Sequence, residues 1–416
     1  MREVTAAMVA LGGYGNTYLR EIFTTPPSER EGFRLVAGVD PNPIGCRYLE
    51  ELAAEGIPIY PDLDAFYAER TADLVVIAAP IHYHAPFTIN ALAHGSSVLC
   101  EKPIAATIQE VRRMAEAEAE RKRAAASIFV GIGYQWSFSE TMQRLKADVM
   151  ADRLGKPLRF RTKVLWPRPL SYYQRNNWAA KLRTSNGDWI LDSPVNNATA
   201  HYLHNSLYIL GPTRETSARP LDVQAELYRA NAIENYDTAA VRVHASLPGT
   251  DDQVEVLFYT AHPVDENIGP VLVYEFEDAV VEYAAYGNPL LVRFKDGHVE
   301  DYGDPFANEV SKLWQAVDAV RTGAPPACGI AAATPHTLCV NGAQESPEEI
   351  VVFPSDLVRR TGMGDDDTLV WVEGLRTTLE ECYDAGVLPS ELGVSWAQAA
   401  RPVDLRAYTI YPSSGV

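Results

Sequence analysis

Along the first third of the chain, short apolar runs alternate with segments of helical periodicity. The runs TAAMVAL, FRLVAGVDP, ADLVVIAAP and SSVLCEKP are continuously apolar at their centres, the pattern of strands buried on both faces. Between them lie NTYLREIFT, IGCRYLEELAAEG (with Cys46, Leu49, Leu52 and Ala53 on one stripe), HAPFTINALAHG, which closes at Gly95, and the long amphipathic TIQEVRRMAEAEAERKRA. SIFVGIGYQ is a further strand. Strand and helix in alternation predict a parallel sheet covered on both sides, and a first α/β domain over residues 1–130.

The pattern then changes to longer strands of period two. LRFRTKVLW puts Leu158, Phe160, Thr162 and Val164 on one side and Arg159, Arg161 and Lys163 on the other. AAVRVHASL, QVEVLFYTAH, PVLVYEFED, AVVEYAAYG and PLLVRFKDG follow, and KDG before HVEDYG reads as a hairpin turn. These strands predict an antiparallel sheet in a second, α+β domain over 131–416. NEVSKLWQAVDAVRTG is a helix ended by Gly323. The tail from about residue 386, rich in Pro, Ser and Gly, is expected to wrap the surface. Too few helices accompany the strands from 238 to 300 to cover both faces, which predicts a homodimer or homotetramer assembled through the sheet.

Composition narrows the function classes. The 416 residues are 47% hydrophobic and 22% charged, those of a globular chain. A net charge of −19 argues against a nucleic-acid or anionic-membrane partner. No apolar run reaches the ~18 residues of a membrane span. The five cysteines form no C-x-x-C, which suits a reduced, cytoplasmic protein. The basic run Arg121-Lys122-Arg123 falls at a helix C-terminus, where cations favour the dipole.

The stretch VALGGYGNTYL holds the first candidate chemistry. Aligned to G-x-G-x-x-G it gives Ala10, Gly12 and Gly15, after a strand and before a helix, as a dinucleotide loop requires. Gly12 would admit the pyrophosphate, Gly15 would allow close helix packing, and the backbone N–H groups of Gly13, Tyr14, Gly15 and Asn16 would face it. Alanine at position 10 fits while its φ stays negative. Asp40 ends the second strand, 25 residues after Gly15 because of the insertion TTPPSEREG, and could accept both ribose hydroxyls. A carboxylate there would repel a 2′-phosphate, so NAD is expected rather than NADP.

The ordered series ALGGYG, GVDP, IAAPIHYHAP, SVLCEKPIA and GYQWSF resembles the Gfo/Idh/MocA family of oxidoreductases. The resemblance covers about 1–140, continues into GDWILDSPVNNATAHYLHNSLYILG, and is less sharp beyond. It implies a Rossmann NAD-binding domain followed by an open-faced antiparallel-sheet domain. By similarity, Ala79, Pro80, His84, Glu101, Lys102 and Gln135 would border the cofactor, with Lys102 beside the substrate hydroxyl. A cation at the carboxyl end of a parallel strand can polarise a reacting oxygen.

The chain departs from the family where a D-x-G-x-H pattern is usual and LDSPVNNATAHYLHN stands instead. Two alignments compete: Asp192 with Asn196 in place of the histidine, or His201 with Asn197 in place of the aspartate. The spacing to Leu210-Gly211 favours the second, and only histidine exchanges a proton near neutral pH. His201 is therefore expected as acid/base, Lys102 as its electrostatic partner, and Asp192 and Asn197 as orienting groups. His201-x-x-His204 with Asp192 lacks a recognisable further zinc ligand, so no metal is expected. GYQWSF has Ser137 where relatives often carry arginine. WPRPLSYYQRNNWAAKL offers Trp166, Arg168, Tyr172, Tyr173, Arg175, Asn176 and Trp178, aromatic faces and donors suited to a polyhydroxylated ring; Trp166, Arg168, Tyr172 and Trp178 are expected to bind substrate together with Lys102, Asp192, Asn197 and His201. Tyr259 and His262 are weaker candidates.

These readings converge on an NAD-dependent oxidoreductase acting on a secondary hydroxyl of a sugar, inositol or related polyol. Two alternatives stand beside it: an enzyme that oxidises transiently to eliminate a glycosidic substituent, and a non-catalytic sugar or cofactor sensor.

Overall fold

The computed structural model describes residues 2–26 and 28–413. The outermost positions of the two expected domains, 1 and 414–416, and Pro27 of the TTPPSEREG insertion lie outside the described residues. The chain forms two compact units: one runs up to Ala105 and adds Gln109–Phe138 and Asn308–Thr334, the other comprises Ala106–Ile108, Ser139–Ala307 and the chain from Pro335.

The first unit is wound on six parallel strands, β1 (Val4–Val9), β2 (Phe33–Val39), β3 (Ile59–Tyr60), β4 (Leu74–Ile77), β5 (Ser97–Cys100) and β6 (Val130–Ile132), in the order β3-β2-β1-β4-β5-β6. The winding reverses between β1 and β4, and ligands of such sheets sit outside the carboxyl ends at that reversal. Val4, Ala6 and Met8 of β1 are buried with Leu19 and Ile22 of the helix Gly15–Thr24, and with Leu313, Ala316, Val317 and Val320 of the helix Ser311–Thr322. That last helix stops at Gly323, whose φ of +74° lets its N–H close on the Ala319 carbonyl. The stripe expected from Cys46 onward is shorter than the pattern suggests: the helix starts at Leu49, Leu52 is buried, and Leu49 is exposed.

The second unit is built on β7 (Pro157–Leu165), β8 (Pro220–Arg229), β9 (Thr238–Ser246), β10 (Gln253–Ala261), β11 (Ile268–Phe276), β12 (Ala279–Tyr283), β13 (Leu291–Phe294), β14 (Val299–Asp301) and β15 (Val351–Val352), ordered β14-β13-β12-β11-β7-β10-β9-β8-β15. It is antiparallel except at two joints, where β7 runs parallel to β10 and β15 parallel to β8. Parallel neighbours need a long crossover, and the helical stretch after β7 with β8 and β9 supplies it. The β13–β14 hairpin turns at Gly297, φ +91°.

Both faces of this sheet carry cover within the unit. On one, Asn205 and Ser206 of the helix Ala200–Ile209 reach the Tyr274 hydroxyl, itself stacked on Phe160. On the other, Leu165, Tyr228, Leu257 and Tyr259 pack with Phe353, Val372, Leu379, Cys382 and Trp396. The tail thus does more than wrap the surface. Trp396 and Leu405 are buried, and Val403–Asp404 pairs antiparallel with β8. Among the described residues no helix is long and apolar enough to cross a membrane.

Candidate functional site

In the first unit the chain leaves β1 and turns into the helix Gly15–Thr24. Ala10 takes φ +65° and Gly13 φ +53°, so the negative φ expected at Ala10 is not what the turn adopts. An alanine in that region costs roughly 1 kcal/mol against sterics. Gly15 is fixed more tightly, since a Cβ there would lie 2.1 Å from the Ala10 carbonyl oxygen. The loop also closes on itself. Gly15 donates to the Gly12 carbonyl (2.9 Å) and Asn16 to that of Gly13 (3.3 Å). The backbone donors without an acceptor among the described residues are therefore those of Gly12, Gly13 and Tyr14: Gly12 joins the expected set, and Gly15 and Asn16 leave it. The Asn16 side chain donates to the Gly45 carbonyl (3.0 Å) and accepts from the Arg47 N–H (2.7 Å), which pins the following loop beside Gly12.

Asp40, directly after β2, accepts from the N–H of Leu11 (2.9 Å) and of Asn42 (2.8 Å) with different oxygens. Each oxygen keeps a lone pair for another donor. Three open amides at a helix N-terminus next to a half-buried carboxylate fit the pyrophosphate and ribose of NAD.

The strand ends carry the other expected cofactor residues. Ala79 is buried and Pro80 half-buried. His84 is buried, with Nδ1 2.7 Å from the Pro103 carbonyl and Nε2 2.8 Å from that of Ala79. Its ring braces these two loops, and burial holds its pKa down. Glu101 is also buried. Its carboxylate accepts from the Tyr18 hydroxyl (2.6 Å), the Lys102 N–H (3.2 Å) and the Lys312 ammonium. Lys312 further reaches the Tyr14 hydroxyl (3.2 Å) and the Gly133 carbonyl (3.1 Å). Burial alone would lower the Lys312 pKa; Glu101 and Tyr14 outweigh it and raise it. Sequence reasoning missed Lys312. Its signal was a lysine at 312 in line with Ala316 and Val320, which are buried on the same helix face. Lys102 is half-buried, as is Gln135 at the start of the turn Gln135–Phe138.

In the second unit Asp192 is 3% exposed. It accepts from the Ala180 N–H (2.6 Å) and the Asn197 side-chain amide (2.7 Å), and lies 3.5 Å from Arg175. Two residues beside it, Ala180 (φ +55°) and Leu191 (φ +49°), sit in left-handed conformations without being glycine. Such strain persists only where surroundings over-determine it, and it clusters at functional sites. Asn196 is tied to the carbonyls of Ile190 (3.3 Å) and Leu191 (3.1 Å) and so holds the loop. Pro194–Ala198 forms a π-helical turn, with Thr199 donating to Pro194 (2.8 Å). His201 is half-buried at the start of the helix Ala200–Ile209. His204 is fully buried on that helix, its pKa held well below the usual value by burial and by His336 and Lys146.

The aromatic loop packs against Asp192. The Arg168 guanidinium lies 5.1 Å from the Tyr172 ring and 5.5 Å from that of Trp166. Arg175 sits 3.9 Å over Tyr172 and 5.3 Å from Trp178. His262 meets the Tyr172 ring edge-on and bonds the Trp166 carbonyl (2.9 Å). Burial, then Arg168, pushes its pKa down to about 3. Asn176 instead caps the loop by accepting from Trp178 and Ala179, and the Tyr259 hydroxyl is spent on the carbonyls of Cys382 and Val387. The structure thus gathers Trp166, Arg168, Tyr172, Arg175, Trp178, Asp192 and Asn197, and leaves Tyr259 apart.

A family model described as an oxidoreductase family with an NAD-binding Rossmann fold matches residues 4–129. Over this segment the chain is similar to the Gfo/Idh/MocA family. Inositol 2-dehydrogenase of Pseudomonas fluorescens is 31% identical over 152 residues, 36% of this chain and 43% of that protein. 2,7-Anhydro-N-acetylneuraminate hydratase of Mediterraneibacter gnavus is 35% identical over 114 residues, 27% of this chain and 28% of that protein. The chain therefore spans less than half the length of these curated relatives. Among solved structures, the WlbA dehydrogenase of Bordetella pertussis, in complex with NADH and UDP-GlcNAcA, superposes with a TM-score of 0.64 at 18% identity, covering 83% of this chain and 97% of that one. An oxidoreductase of Agrobacterium radiobacter, in complex with NAD+, L-tartaric acid and magnesium, gives 0.64 at 16%, covering 82% and 96%. At these identities the structures show a likeness of fold alone.

Proposed function

We propose that the protein is an NAD(H)-dependent oxidoreductase acting on a secondary hydroxyl of a sugar, inositol or related polyol. The observation that carries this reading is the glycine turn, with the amides of Gly12, Gly13 and Tyr14 open beside Asp40 in a Gfo/Idh/MocA NAD-binding segment. Bound NAD supplies the hydride acceptor or donor. The turn and Asp40 hold the cofactor, and Asp40 selects NAD over NADP by charge. Lys102 steadies the developing alkoxide. His201 takes the hydroxyl proton. Asp192, anchored by Ala180 and Asn197, gives the second unit a fixed negative group that orients it. Trp166, Tyr172 and Trp178 offer faces to the ring of the substrate.

Isotope transfer to NAD+ from a panel of carbinol-deuterated sugars and polyols tests the reading, and the absence of transfer from every member would reject it. His201→Asn should lower turnover by about 10²–10⁴-fold with little change in NAD affinity. Near-normal turnover in that variant, with loss in Asp192→Asn, would move the base to Asp192. Titration should show weaker NADP than NAD binding, with the gap reduced in Asp40→Ser. A second reading, transient oxidation followed by elimination and re-reduction, is favoured by one observation: a relative matching this segment is a hydratase. Retention of label by the protein across many turnovers, without net redox change, would select it.

A further inference from the structure

We propose that Arg168, assisted by Arg175, receives an oxyanion carried by the substrate, so that the preferred ligand is a sugar acid or sugar phosphate rather than a neutral polyol. The inference rests on reading the second unit as the substrate-binding one, and it names a charge class that this reading leaves open.

The observation is a guanidinium with no counter-ion among the described residues. Arg168 is half-buried, and its Nε is shielded from solvent without a hydrogen-bond partner. Its hydrogen-bond partners among the described residues are the Pro167 carbonyl at 3.5 Å and the Tyr172 hydroxyl, with Tyr173 and His262 also near; it forms no ion pair with a described carboxylate. A cation withdrawn from water in this way is unfavourable unless something compensates it. The rings of Trp166 and Tyr172 provide part of that compensation and fix the plane of the fork. Arg175 is set beside the same Tyr172 ring.

The nearby acids are already engaged. Asp192 accepts from Ala180 and Asn197 and stands 3.5 Å from Arg175. Asp237 accepts from the N–H groups of Ala230 and Asn231, the Asn231 side chain and the Thr238 hydroxyl. His262, pressed against Tyr172, is held neutral by burial and by Arg168 itself. The positive charge at this point is thus carried by arginine. A chain of net charge −19 repels anions at long range, so recognition of one must come from such a local group. A planar guanidinium matches the paired oxygens of a carboxylate or phosphate.

The test uses the NAD-loaded protein and calorimetric titration with D-glucuronate, D-glucose 6-phosphate and D-glucose. One or both anions should bind at least 10-fold more tightly than glucose, with affinity falling as salt rises. The stronger of the two anions identifies the source of the oxyanion. Arg168→Gln should collapse the anion-to-glucose ratio to within about 2-fold, and Arg168→Lys should leave an intermediate ratio. Circular dichroism and thermal unfolding would check that both variants fold. Equal binding of all three ligands, no measurable binding of either anion, or a preference that survives Arg168→Gln would overturn the proposal. Hydride transfer from neutral sugars to NAD+ without anion preference would reject this inference and leave the oxidoreductase reading standing. An Arg168-dependent preference without hydride transfer from any sugar would do the reverse.

Discussion

The two units treat a withdrawn cation in opposite ways. In the first, Lys312 is wholly enclosed and its ammonium is spent on Glu101, Tyr14 and Gly133. In the second, Arg168 rests on ring faces and meets no carboxylate among the described residues. A cation enclosed with its anion locks backbone elements together: here a C-terminal helix, the glycine turn and the end of β5. A cation held against rings keeps its donors for something that arrives later. The same formal charge therefore serves architecture in one unit and recognition in the other, and the partner list distinguishes them.

That contrast breaks most easily at Lys312. Lys312→Met leaves the Glu101 carboxylate buried without its cation and should cost about 3–5 kcal/mol of stability in denaturant unfolding. The double change Lys312→Met with Glu101→Gln should recover more than half of the loss. Equal losses in the single and the double variant would show that packing, and not charge, is what the pair supplies. NAD affinity should fall in the single variant as well, because Tyr14 loses its partner at the turn.

The second unit offers a pH handle of smaller size. His262 has its pKa pushed down to about 3 in the folded protein, against ~6.5 in an unfolded chain. The unfolded state takes up that proton first as pH falls. The stability His262 contributes is full above about pH 6.5 and drains below it, at about 1.4 kcal/mol per pH unit. His262→Gln should flatten the stability profile between about pH 6.5 and 5 by that slope. An unchanged slope would mean that the ring is not held neutral by its surroundings.

The smallest effect is expected at the glycine turn. Ala10→Gly removes the strain of φ +65° but adds freedom to the unfolded chain, so the gain should be about 1 kcal/mol or less. NAD affinity should stay the same or rise. A loss of stability would show that the alanine methyl packs usefully there.

Much of the first unit was legible because its determinants are local. Apolar runs mark five of the six strands, the two-residue β3 being too short to leave one, and Asp40, Glu101 and Lys102 stand directly at strand ends. What sequence could not supply was the conformation of the turn: φ at Ala10 and the choice of open amides depend on how the loop folds onto its own carbonyls. Lys312 was hidden by distance, since its partner Glu101 lies far away in the chain. In the second unit β7 and β9 to β14 were legible by alternation, while β8 and β15 were not read, nor was the parallel β7–β10 joint, because register across a long crossover leaves no local trace. The expectation of an uncovered sheet face came from counting helices near residues 238–300. The residues that cover it, Phe353 to Trp396, come from later in the chain and include the amphipathic helix Leu375–Ala385. The aromatic loop was legible as a group, but its distinction between the anchored Asn176 and the counter-ion-free Arg168 needed coordinates.

The wall formed by Leu313, Ala316, Val317 and Val320 also imposes an order in time. A ribosome delivers these residues only after strands β7 to β14 have emerged, although they complete the core around β1. At roughly 5–20 residues per second, the N-terminal strands wait on the order of ten seconds or more for them. Through that interval the apolar cluster lacks one side and Glu101 has no cation. The dinucleotide-binding half is thus made first and finished late, and a gene cut after Phe138 would keep it permanently in its unfinished form.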